Sequence, residues 1–224
     1  MRHFNYAVLA TFLFTLGVGC GGSDEGEITY VAIGASDATG IGASPLSNGY
    51  VFRISENLEA RTGRDVDLVN LGIPGAEADE IEDIEIRLAT ELTKAELVTV
   101  FVGGNDVVNG IGVEAFEDNF RQILEELRAE TDAIIAVGNL PDLTKLPRFT
   151  EEPNTNVTAE RVTAFNAAIS RQTNANGAVQ VDLFSEPVET FLVDNDGLHP
   201  NDAGHARLAE KFLAVIIPLL PPVR

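Results

Sequence analysis

The chain has 224 residues, 45% of them hydrophobic and 22% charged, with 20 Gly and 10 Pro. That suits one globular domain with a short tail and excludes a fibrous repeat or a wholly disordered polymer. With 35 acidic against 15 basic residues the formal net charge is −20, which repels phosphate backbones, anionic lipid surfaces and polyanionic substrates and argues against nucleic acid as a partner. A single cysteine, Cys20, excludes an internal disulfide framework and a Cys-rich zinc site.

Residues 1–19 read as a signal peptide. Met1-Arg2-His3 is short and positive, and Phe4 to Gly19 is mostly apolar but too short for a membrane-spanning helix. The stretch ends in Leu16-Gly17-Val18-Gly19-Cys20. This resembles a bacterial lipoprotein signal, with Leu16 one place further from the cysteine than in that pattern. The resemblance implies a lipidated Cys20, an exported protein and membrane contact through acyl chains alone. An ordinary cleaved signal with an incidental cysteine, and so a secreted or periplasmic protein, is the alternative. Residues 20–27, rich in Gly and acidic side chains, form a flexible tether, and residues 28–224 form the folded domain.

Strand and helix patterns then alternate. Apolar runs predict strands at Ile28–Ile33, Val66–Leu71, Leu97–Val102, Ala133–Val137 and Val179–Leu183. Helical spacing places Val51, Ile54 and Leu58 on one helix closed by Gly63. A second helix carries Ile81, Ile84 and Leu88, with Asp79 as N-cap, and a third carries Phe116, Phe120, Ile123 and Leu127. Val162, Phe165 and Ile169 mark a helix that starts near Thr158, and Ala203 to Ile217 forms the last, stopped by Pro218. Five strands alternating with helices imply an α/β fold with a parallel sheet covered on both faces, whose site lies beyond the carboxyl ends of the strands.

Four loops hold the chemistry. Ser36 sits two residues past the first strand in Gly34-Ala35-Ser36-Asp37, with small neighbours that leave its hydroxyl reachable. Gly72, at the end of the second strand, can expose its backbone N–H. Asn105, in Gly103-Gly104-Asn105-Asp106, offers an amide donor or a helix cap. His199 lies in Asp194-Asn195-Asp196-Gly197-Leu198-His199-Pro200, where Asp196 can fix its tautomer. His205 has its own upstream aspartate, Asp202, but falls inside the last helix. It is given a structural role, and Asp202 is taken as that helix's cap. Gly40-Ile41-Gly42 invites a dinucleotide site, yet G-x-G-x-x-G is absent, and Asn70 stands where a ribose-binding acid would close the next strand. Ala38 breaks the Gly-x-Ser-x-Gly elbow of an α/β-hydrolase. The long connection Leu140–Val157 carries Leu143, Leu146 and Phe149, which either flank a substrate or pack the surface.

In chain order, these loops resemble the SGNH hydrolases, the GDSL-type esterases and lipases. The name residues fall on Ser36, Gly72, Asn105 and His199, with Asp196 as the third member of a triad, and the likeness covers nearly all of residues 28–217. The serine motif Gly-Asp-Ser-Leu reads Gly34-Ala35-Ser36-Asp37 here, whereas Gly-x-Asn-Asp and Asp-x-x-His are intact. The resemblance implies a flavodoxin-like three-layer α/β/α sandwich with a five-stranded parallel sheet. It also implies ester hydrolysis through an acyl-serine; short neutral acyl esters of small molecules are taken as the default substrate. An oxyanion hole would be built from Ser36, Gly72 and Asn105, and no metal or cofactor would be needed. A catalytically inactive binding lipoprotein on the same fold is the competing reading. The oligomeric state stays open.

Overall fold

A computed structural model describes residues 26–81, 95–188 and 196–221. Strand β1 (Ile28–Gly34) is almost wholly buried, as its apolar run requires. Helix α1 (Tyr50–Thr62) turns Tyr50, Val51, Ile54 and Leu58 inward, and β2 (Val66–Asn70) follows as a half-buried edge strand. Helix α2 is described over Ala78–Ile81. Asp79 lies within its first turn, not at the cap expected for it, and Ile84 and Leu88 lie outside the described residues. Strand β3 (Leu97–Phe101) is buried at every position. Helices α3 (Gly104–Asn109) and α4 (Val113–Glu130) lead to β4 (Ile134–Gly138). Then come a short α5 (Pro147–Glu151), α6 (Ala159–Ala175), β5 (Val179–Val181) and α7 (Asp202–Ile216).

The five strands pair in parallel in the order β2-β1-β3-β4-β5. Continuous apolar runs fill the three inner strands because both faces are covered. Helix α1 packs with α7, while α4 packs with α6 and α2. The two helical layers meet the sheet through aromatic clusters. On one side Tyr50 stacks on Phe212, with ring centroids 5.4 Å apart, and meets the edge of Phe101 at 6.3 Å. On the other, Phe116 stacks on Phe165 at 4.6 Å and on Phe120 at 5.5 Å. All these rings except Phe101 (8% exposed) are at most 1% exposed, and each contributes roughly 1.5–3 kcal/mol by leaving water. Among the described residues no helix is long and apolar enough to cross a membrane.

After β1 the chain moves to one edge for β2 and returns to the opposite side of β1 for β3. Loops at the carboxyl ends of β1 and β3 therefore diverge, and a crevice opens between them. The site lies there.

Candidate active site

The chain leaves β1 through Ala35 into a tight turn. The Ser36 carbonyl accepts the Ile41 N–H at 3.2 Å and the Thr39 hydroxyl at 2.8 Å, which fixes the backbone that carries the Ser36 side chain. The Ser36 N–H has no acceptor among the described residues. Although 163 positions apart in sequence, Ser36 Oγ and His199 Nε2 lie 2.8 Å from each other. His199 Nδ1 pairs with Asp196 Oδ2. The other Asp196 oxygen accepts the backbone N–H groups of Leu198 (2.8 Å) and His199 (2.9 Å). Partial burial acts to raise the Asp196 carboxyl, but the His199 ring and those two amides outweigh it and hold the group below its ordinary value. An ionised Asp196 fixes the imidazole with Nδ1 protonated and leaves Nε2 free to accept the serine proton.

Asn105 opens α3 beyond Gly103, whose φ of +104° and contact with the Phe116 ring leave no room for a side chain. One Asn105 amide hydrogen donates to the Ala76 carbonyl at 2.8 Å, and the other has no acceptor among the described residues. Next to it Asp106 is 1% exposed. Its Oδ1 accepts the Ala78 N–H at 3.2 Å, and its Oδ2 has no partner among the described residues. Burial first, then the charges of Glu77 and Asp79, push this carboxyl up to about 6 against its backbone hydrogen bonds.

Gly72 lies in the loop that closes on the serine turn. A Cβ there would lie 2.9 Å from Ala38 Cβ and 3.0 Å from Thr39, so only glycine lets this loop close on the serine turn. Its N–H donates to Asn70 Oδ1 at 3.1 Å, and Gly72 is not among the residues lining the cavity. Asn70 Nδ2 in turn donates to the Ala38 carbonyl at 2.7 Å, so Asn70 bridges the two loops. Sequence patterns gave this bridge no signal.

The Ser36–His199 pair opens into a cavity of about 120 Å3. Val108, Leu140, Leu143, Leu146, Phe149 and Leu208 belong to its apolar wall. The connection after β4 thus flanks the serine. Asn166 clamps its start, accepting the Leu140 N–H (2.8 Å) and donating to the Leu140 carbonyl (2.9 Å). The Arg148 N–H donates to the Gly197 carbonyl at 2.9 Å, joining α5 to the loop that carries Asp196 and His199. His205 stands apart from the cavity and is fully buried. Its Nδ1 accepts the Tyr50 N–H (3.2 Å) and its Nε2 donates to the Ile41 carbonyl (2.9 Å). Asp202 does not cap its helix. Asn201 does, accepting from Ala203 and Gly204, while Asp202 accepts the Ser44 N–H at 2.7 Å and the Asn48 amide at 3.3 Å. Residues 1–25, Cys20 among them, lie outside the described residues.

The profile of the GDSL-like Lipase/Acylhydrolase family matches residues 32–207. Esterase TesA of Pseudomonas aeruginosa is 27% identical over 195 residues, which span 86% of this chain and 89% of that protein. The crystal structure of a lipase/acylhydrolase from Enterococcus faecalis superposes with a TM-score of 0.69 at 23% identity, covering 88% of this chain and 99% of that one. The psychrotrophic esterase EstA from a Pseudoalteromonas species, solved with monoethylphosphonate as inhibitor, gives 0.67 at 18% identity over 85% and 97%. The family match and the curated relative make this chain a hydrolase of carboxylic esters. The chain belongs to the GDSL-like Lipase/Acylhydrolase family.

Proposed function

We propose that this chain is a serine esterase that cleaves short-acyl esters through a covalent acyl-serine, with Ser36, His199 and Asp196 as its triad. The observation that carries this reading is the unbroken hydrogen-bonded path from Ser36 Oγ through His199 to Asp196 at the mouth of an apolar cavity. His199 Nε2 takes the hydroxyl proton as Oγ attacks the ester carbonyl, then returns it to the departing alcohol. Water repeats the cycle on the acyl-enzyme. Asp196 holds the ring and stabilises its cation. The Ser36 N–H and the free Asn105 amide hydrogen receive the oxyanion. They are neutral donors that meet charge only where it develops. The Gly72 N–H, which donates to Asn70 Oδ1, is assigned as the third donor.

The apolar wall favours an aliphatic acyl group, and the strongly acidic chain disfavours anionic head groups. Hydrolysis of p-nitrophenyl butyrate tests the reading. The native protein turns it over, and Ser36→Ala loses nearly all activity while its circular dichroism stays native. Full activity in Ser36→Ala removes the assignment. We further propose that Cys20 carries the lipid anchor of an exported lipoprotein. Cys20→Ser then moves the protein from the membrane pellet to the soluble fraction, and an unchanged distribution refutes the anchor.

A further inference from the structure

Asn105 lines the cavity beside Ser36 and His199, and the residue after it carries a carboxylate that the reaction does not touch. Asp106 is 1% exposed and is not among the residues lining that cavity. The two neighbouring side chains nevertheless reach the same short segment. Asn105 donates one amide hydrogen to the Ala76 carbonyl at 2.8 Å, and Asp106 Oδ1 accepts the Ala78 N–H at 3.2 Å. Asn109, one turn further along α3, donates to Glu77 Oε1 at 2.7 Å, but on the exposed surface, where water competes. The start of α3 thus grips Ala76 and Ala78 inside the core, where both are at most 2% exposed.

The two grips depend on each other. Ala78 is the first residue of α2, so its N–H has no acceptor within its own helix and takes one from α3. Without Asp106 Oδ1 a buried donor is left unpaired, a costly state that the segment relieves by moving. Ala76 is tied elsewhere through its N–H, which donates to the Ile73 carbonyl at 3.1 Å. Movement at Ala78 therefore passes to the Ala76 carbonyl, the acceptor that sets the rotation of the Asn105 carboxamide. The amide group is planar, so binding one of its hydrogens fixes the direction of the other. The Asp106 backbone is itself held, because its carbonyl accepts the Ile111 N–H at 2.9 Å.

We propose that Asp106 is a positioning residue for the oxyanion hole: it holds the Ala78 N–H, which fixes the Ala76 carbonyl, which in turn directs the second amide hydrogen of Asn105 toward the ester oxygen. The inference rests on the esterase reading. Asp106 gives and takes no proton, and a carboxyl oxygen accepts the Ala78 N–H whether the group is ionised or neutral. What the hold supplies is direction. Negative charge on the ester oxygen develops only toward the tetrahedral intermediate, so a misdirected donor slows turnover and leaves substrate binding as it was.

The test measures kcat and KM for p-nitrophenyl butyrate in Asp106→Leu, which keeps the shape and removes the acceptor, and in Asp106→Asn, which keeps the acceptor. Each is made in the native protein and in Asn105→Ala. Asp106→Leu lowers kcat about tenfold at unchanged KM, less than loss of the whole donor, and Asp106→Asn stays close to native. In Asn105→Ala, Asp106→Leu causes no further loss, because the group it directed is gone. A full second loss in that background, an equal loss in Asp106→Asn, a change carried by KM, or native turnover in Asp106→Leu overturns the proposal. Unaltered turnover in Asn105→Ala removes the donor and the proposal with it. Asp106→Ala decides if Asp106→Leu does not fold, and failure of both to fold makes Asp106 structural, which also overturns it. Failure of the esterase reading is separate: the native protein would then show no turnover, or Ser36→Ala would keep it.

Discussion

Asp106→Asn probes the buried carboxylate beneath Asn105. In the folded chain its pKa rises from 3.8 to about 6, and a shift of about 2 units corresponds to about 3 kcal/mol. The direction follows from proton counting. Between about pH 4 and about pH 6 the folded protein holds a proton that the unfolded chain has released. Stability from this group is therefore fully present below its unfolded value, declines as the pH climbs through the folded value, and is flat above it. Asparagine keeps an oxygen for the Ala78 N–H and cannot ionise. Its amide nitrogen replaces the unpartnered oxygen at a cost that does not vary with pH. The stability difference, variant minus native, should then rise by about 3 kcal/mol between about pH 4 and about pH 7. Urea unfolding followed by circular dichroism at several pH values measures it, provided the slopes of the two proteins agree. A difference that stays flat or falls with pH refutes the reasoning.

Two further substitutions address the cleft. Asn105→Ala removes an oxyanion donor and should lower kcat on p-nitrophenyl butyrate by about a hundredfold with little change in KM; unaltered turnover would take Asn105 out of the oxyanion hole. Phe149→Ala removes a ring from the apolar wall formed by Leu143, Leu146 and Phe149 and so enlarges the cavity. Because burying a methylene contributes about 0.8 kcal/mol, kcat/KM should gain about fourfold for each additional methylene the enlarged cavity admits. An acyl-length profile identical to that of the native protein would show that Phe149 does not bound the acyl group.

The strands were legible because inner parallel strands are continuous apolar runs, and β1, β3 and β4 are of that kind. That Ser36, Asn105 and His199 follow the carboxyl ends of strands was legible for the same reason, although Asn105 lies in α3 and not in a loop. The site lies where the sheet order reverses, and the resemblance joined residues that no local pattern links. Four features were not legible. Asn70 and Asn166 clamp loops through side-chain amides, and an asparagine in a loop has no periodicity to betray its partner. Asn201 and Asp202 are adjacent and both suit a cap. Only the position of Ser44, 158 residues from Asp202, drew the carboxylate elsewhere. The short helix α3 was hidden by Gly103 and Gly104, which read as turn, although Gly103 in its left-handed conformation is what starts the helix. The leucines and Phe149 after β4 could be seen as apolar, but their facing toward Ser36 comes from long-range clamps that sequence spacing does not encode.

The central claim is that Ser36 is made nucleophilic by its contact with His199. Reaction of the full chain with a fluorophosphonate, followed by peptide mass spectrometry, tests it most directly. The account predicts a single covalent adduct on Ser36, formed at a rate that collapses in His199→Ala. An adduct on another residue, or equal labelling of Ser36 without the imidazole, would contradict it.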